Sequence, residues 1–278
     1  MTSLLPFRWH IADVLLIVAV GVAHHLVVTS RRERRLAAGA LFALLVVTVW
    51  PMGDLASSVS LTAATVQRLI IMVLVAPLLL MATPTDVLAR LTRPRPVDWV
   101  TRVLAHPGVA MVVVTVMGTL TLSTPVVDWG ARSTIARDVV LVVVVFVGLV
   151  LWIPALGVLP GAKRLSPVAR AGYVFASSLV VTSLSFVWIF SRHSLYPALH
   201  HQYALLHMTP LFDQQLAGFV AKFGCYAPMW AVAFTIFSRA EEQSASTEET
   251  TLHWADVERQ LLRVDRQRER ALRRRQSP

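Results

Sequence analysis

The sequence predicts an all-α, polytopic membrane bundle of about seven transmembrane helices, and three observations carry that prediction. Of 278 residues, 55% are hydrophobic and only 15% are charged, where a soluble domain carries about a quarter charged residues. The apolar residues gather in runs of roughly 20, the length an α-helix needs to cross the hydrocarbon core. The basic residues cluster between those runs, on alternate connections.

The first run covers about residues 11–29 and is followed by Arg31, Arg32, Arg34 and Arg35. A cleavable leader carries its positive charge before the apolar stretch, not after it, so this run reads as an anchor with its N-terminus outside. The second covers about 37–52 and ends near Trp50. The third, about 66–84, precedes Arg90, Arg93, Arg95 and Arg102. The fourth, about 108–125, leads to an acidic and aromatic connection with Asp128 and Trp129. The fifth, about 137–157, precedes Lys163, Arg164 and Arg170. The sixth covers about 171–190 and the seventh about 213–237, and nine arginines follow the seventh. These four basic connections hold 20 of the 26 basic residues. The positive-inside rule places them in the cytoplasm, which sets the N-terminus outside, the C-terminus inside and the protein in the plasma (inner) membrane. Trp9, Trp50, Trp129 and Trp188 then fall near outer ends, and Trp99 and Trp152 near inner ones, which suits an aromatic belt.

Two domains follow. Residues 1–240 form the transmembrane bundle, and residues 241–278 a cytoplasmic linker and basic tail. Residues 241–251 are rich in Glu, Ser and Thr without an apolar period and read as a solvated linker. Beyond them Trp254, Val257, Leu261 and Val264 recur at helical spacing among arginines. Such a helix lies on the anionic leaflet, docks on a partner, or stays solvated as a topology signal.

Composition also excludes. The net charge of +10 raises nucleic acid as a partner, but the basic residues flank apolar runs and serve topology instead. The single cysteine, Cys225, excludes an intramolecular disulfide and any multi-cysteine metal site. No Gly-x-Ser-x-Gly, His-Glu-x-x-His or phosphate-binding glycine loop is present, so the reading is not an enzyme.

Polar groups at membrane depth are where function is sought, because each costs several kcal/mol unless paired or facing a cavity. Asp213, Gln214 and Gln215 head the last apolar run. Asp54, Arg68, Ser123, Asp128, Arg137 and Asp138 fall at the outer half of other runs, with Gln67 beside Arg68. An ion pair from Arg68 to Asp213 or Asp54 is the expected arrangement. Lys222 lies nine residues past Asp213, about 13 Å along a helix, and is expected to face the bundle interior. His200, His201, His207 and Met208 cluster in the last external connection. On a helix His200 and His207 share a face, as do His201 and Met208. Imidazole and thioether suit copper, and a polar lip at the membrane surface is the alternative use of the same residues.

Pro210-Leu211-Phe212-Asp213-Gln214-Gln215-Leu216-Ala217-Gly218 resembles the signature that precedes the last helix in the CtaG family, membrane assembly factors for caa-type cytochrome c oxidase. Val66-Gln67, Leu69-Ile70-Ile71-Met72 and Ala76-Pro77-Leu78-Leu79 resemble that family's third helix. Pro125 and Trp152-Ile153-Pro154 fall in the expected order. The resemblance spans residues 9–240. It implies a non-enzymatic role in haem–copper oxidase biogenesis, with an oxidase subunit and the lipid bilayer as partners and copper as the cofactor in question. It also brings out departures. Ala64, Arg68 and Ser123 stand where the family has histidines, and Lys222 where it has tryptophan. Three imidazoles replaced by Ala, Arg and Ser do not leave a metal site of the same kind. Two readings stay open: a scaffold that works without metal, or a ligand task moved to His200, His201, His207 and Met208. A membrane transporter or binding protein for copper is the alternative function. It needs a polar path, and the inner half offers His24, His25, a few hydroxyls and Lys222. A retinal-binding reading founders on Arg68, which occupies the third span where a carboxylate counter-ion to Lys222 belongs.

Overall fold

The computed structural model describes residues 10–28, 30–159, 164–196, 199 and 208–276, and all regular structure in them is helical. Two compact units divide the chain, residues 1–233 and residues 234–278.

In the first unit, α1 (Ile11–Val27) packs on α2 (Arg31–Thr48). Helix α2 breaks at Trp50-Pro51 and resumes as α3 (Met52–Asp54) and a π-helical stretch, Leu55–Val59. Next come α4 (Leu61–Leu69), a π-helical stretch at Ile70–Val75 and α5 (Ala76–Ala82), which together make one span. Two short helices, α6 (Thr85–Leu91) and α7 (Arg95–Leu104), precede α8 (Pro107–Leu120) and α9 (Thr124–Arg132). Central α10 (Thr134–Leu156) packs on α5, α8, α9 and α11 (Pro167–Val181). Helix α12 (Leu184–Phe190) completes the sixth run, and α13 begins at Pro210 and ends at Gln276.

Four helices among the described residues are long and apolar enough to cross a membrane: Leu61–Ala82, Thr134–Leu156, Pro167–Phe190 and Pro210–Gln243. Two bent pairs raise the number to six, with α2 and Met52–Val59 at 58° and α7 and α8 at 90°. Each bend falls at a proline, Pro51 or Pro107, which lacks the N–H to continue the ladder. The first run is an apolar helix below spanning length in this structure. Residues 241–251, expected as a solvated linker, are helical, because helix α13 runs through them. That stretch contains no Gly or Pro, and its Glu, Gln and Ala residues are good helix formers.

The surface suits hydrocarbon. Leu15, Leu26, Phe42, Phe146, Phe223 and Phe234 are all exposed, far more apolar exposure than a soluble monomer carries. Inside, the packing is close. A Cβ on Gly148 would lie 2.9 Å from Ala76 Cβ and 3.0 Å from Met72 Cα, so this glycine lets α10 touch the π-helical turn. In that turn Ala76 N–H bonds Ile71 O. The next carbonyl, Met72, faces Pro77, which has no N–H. Trp152 Nε1 donates to it at 2.8 Å. Trp152 and Trp188 are therefore core residues, 3% and 1% exposed, not belt residues, whereas Trp99 and Trp129 are exposed.

Candidate functional site: a polar clasp at the head of the last helix

Thr209-Pro210 starts α13 with a hydroxyl cap and a proline whose missing N–H costs nothing there. Phe212 N–H donates to Thr209 Oγ1 at 3.2 Å and Asp213 N–H to Thr209 O at 3.0 Å. This places Asp213 on the first turn, fully buried, with its carboxylate against the N-terminus of α4. Ser60 Oγ donates to Oδ1 at 2.7 Å, Leu61 N–H to Oδ2 at 2.7 Å and Thr62 N–H to Oδ1 at 3.3 Å. Thr62 Oγ1 donates to the Asp213 carbonyl at 2.9 Å. Ser60 Oγ in turn accepts from Ala63 N–H at 3.2 Å. The orphan N–H groups of the α4 N-terminus are thus satisfied, and the carboxylate sits where the helix macrodipole favours negative charge.

The two glutamines hold the segment between α12 and α13. Gln214, fully buried, accepts from Leu195 N–H at 2.7 Å and donates from Nε2 to His193 O at 3.4 Å. Gln215 donates to Ser191 O at 3.4 Å. Tyr196 follows: its hydroxyl donates to Leu122 O at 2.7 Å and accepts from Trp188 Nε1 at 3.0 Å. Burial pushes this phenol up to about 12, which keeps it a neutral donor. Leu61, Trp188, Tyr196, Leu199 and Ala217 form one buried cluster beneath the clasp.

Arg68 does not make the expected ion pair with Asp213 or Asp54. Its Nη1 donates to Thr121 Oγ1 at 2.6 Å and its Nη2 to Thr121 O at 2.7 Å. Thr121 caps the C-terminus of α8, where the macrodipole favours a cation. Asp213 and Arg68 are therefore charged caps on two different helices rather than partners. Neighbouring Gln67 donates from Nε2 to Val47 O at 2.6 Å. That carbonyl would serve residue 51 in a continuing helix, and residue 51 is a proline.

Asp54 joins a separate buried network. It lies 3.1 Å from His10 Nε2 and 3.9 Å from Arg137 Nη1. Arg137 also meets Asp13 at 3.6 Å and Asp138 at 3.2 Å, and His10 Nδ1 lies 3.4 Å from Asp13. Ser123 is not aimed at the clasp; its Oγ donates to Leu120 O at 2.7 Å. Lys222 lies about 18 Å along α13 from Pro210. Its Nζ sits over the Phe186 ring, 3.1 Å from the centroid, and 5.3 Å from that of Tyr226. This is a cation–π arrangement without a carboxylate. His200, His201 and His207 lie outside the described residues, and Met208 is half-buried ahead of the Thr209 cap.

Sequence reasoning singled out the acid and the two amides but missed their partners. Ser60 and Thr209 carry a readable signal, a hydroxyl residue immediately before an apolar helix. Thr121 and Tyr196 carry none, because Arg68 and Leu122, which they meet, are distant in sequence, and the His10–Asp13 spacing does not reveal that His10 meets Asp54 and Asp13 meets Arg137.

The donor set does not fit the copper that the CtaG resemblance implies. Ala64 offers no ligand atom, the Arg68 guanidinium only donates, and the Ser123 hydroxyl, which donates to Leu120 O, is a neutral oxygen where copper takes imidazole or sulfur. Among the described residues no group of three His, Cys, Asp or Glu side chains could hold a metal ion. No curated protein and no solved structure matches the chain. The model of one protein family, the cytochrome c oxidase caa3 assembly factors (CtaG), matches residues 15–242. That match covers most of the chain and runs through every helix of the clasp, so the protein belongs to the cytochrome c oxidase caa3 assembly factor (CtaG) family.

Proposed function

We propose that this family member works as a metal-independent scaffold, whose clasped outer end presents a fixed surface to an oxidase subunit. Membership of the family makes it a non-enzymatic membrane assembly factor for haem–copper oxidase, with cytochrome c oxidase as its partner in the plasma membrane. The observation that carries the scaffold reading is how the clasp's polar side chains are employed. Asp213, Gln214, Gln215, Gln67 and Arg68 each bond backbone groups of another element. Groups committed in this way hold helices and a connection in register; they are not a ligand set that could take up a metal ion and pass it on.

In this reading the seven apolar runs each cross the bilayer, with the N-terminus outside and the arginine-rich connections and tail in the cytoplasm. The clasp then lies at the outer face. The basic tail lies along the anionic inner leaflet. Copper analysis of the purified full chain, loaded with Cu(I), tests the reading against a wild-type and a His200→Ala/His201→Ala/His207→Ala protein. Far less than one copper per chain is expected in both. Stoichiometric copper that disappears in the triple variant would establish the relocated site. Stoichiometric copper that survives it would place a site elsewhere in the bundle, and either outcome overturns the scaffold reading.

A further inference from the structure

A cavity of about 60 Å³ lies among α4, α9 and α10. It is several times the room a single water requires. Its polar lining comes from Arg68, Arg137, Gln67 and Ser57, and no carboxylate lines it. Arg137 faces its own acids, Asp13, Asp54 and Asp138, outside this lining. Arg68 has no such compensation. Its two hydrogen bonds go to the hydroxyl and carbonyl of Thr121, both neutral acceptors. Among the described residues no carboxylate comes within 4.0 Å of it. The C-terminus of α8 supplies the equivalent of roughly half a negative charge, which leaves the rest of the guanidinium charge facing low dielectric. The two acids expected to pair with it are engaged elsewhere: Asp213 by the α4 N-terminus and Asp54 by His10 and Arg137.

We infer that this cavity binds a small monovalent anion, chloride in its simplest form, on the guanidinium of Arg68. The guanidinium of Arg68 has five donors and uses two on Thr121. The second amide hydrogen of Gln67 is also available, since one is spent on Val47 O. Only an anion small enough for the cavity meets the requirement, so gluconate is excluded and halides are admitted. At the positions where the family places histidines, this chain then holds an anion on a fixed cation.

The test uses the purified full chain in nanodiscs. Sodium chloride is exchanged for sodium gluconate at constant ionic strength, and both the Tm and the line width of the chloride-35 resonance are followed. Wild-type protein should gain Tm saturably with chloride and broaden the chloride line. Arg68→Gln should remove both effects. Ala64→Leu, which fills the cavity while keeping the arginine, should remove them too and serves where Arg68→Gln does not fold. No saturable chloride effect in wild type overturns the inference. So does a chloride effect of equal size in either variant, which would mean adventitious surface binding only.

Discussion

Asp213 is the residue on which most depends. One buried carboxylate satisfies a hydroxyl and two backbone N–H groups at the start of another helix. Asp213→Ala leaves all three without an acceptor. At about 1–3 kcal/mol per orphaned donor, the bundle should lose about 3 kcal/mol or more, measured by reversible unfolding in mixed micelles. Asp213→Asn keeps one acceptor oxygen and should cost clearly less. Gln67→Leu should cost about 1–3 kcal/mol by orphaning the Val47 carbonyl, without touching the hydrogen bonds of Asp213. Equal stability of wild type and Gln67→Leu would refute the role given to that amide. The sequence made these polar residues conspicuous because hydrocarbon penalises them. It did not reveal that Asp213 serves an N-terminus over 150 residues away, or that Arg68 serves a carbonyl. Charge alone suggested they would pair. The helix termini, which also carry partial charge, took each of them instead.

At the scale of elements, runs of about 20 apolar residues located the helices that, among the described residues, are long and apolar enough to cross a membrane, each bent pair counted as one. The breaks within two of them were also written in the sequence, as Pro51 and Pro107, but a composition window does not register them. Helix α13 was harder: a polar, Glu- and Ser-rich stretch reads as a linker, yet nothing in it stops a helix that is already propagating. The approach of α13 to α12 rests on Gly218, the last residue of the signature stretch. A Cβ there would lie 2.7 Å from Ile189 Cγ1 and 2.9 Å from Ser185 O. Gly218→Val should therefore push the helices apart and cost about 1–3 kcal/mol. Gly172 on α11 has nothing within 4 Å of the equivalent position. Gly172→Ala should be neutral or stabilise by up to about 1 kcal/mol. The two changes compared in one unfolding assay separate close packing from helix propensity, and a Gly218→Val protein as stable as wild type would contradict the packing argument.

For the whole molecule, the arginine distribution predicts which connections face which side. Cys225 is buried, so an engineered cysteine is read against low background. Arg192→Cys should react with a membrane-impermeant maleimide on intact cells, and Arg93→Cys only after the membrane is opened. The reverse pattern would invert the topology. The central claim, that this assembly factor acts as a scaffold without a metal site of its own, meets its most direct test in cells lacking the protein. Cytochrome c oxidase activity in their membranes is measured after complementation with wild type or with the His200→Ala/His201→Ala/His207→Ala variant. Equal restoration by both is expected. Activity restored by wild type but lost with the triple variant, at equal protein abundance, would contradict it.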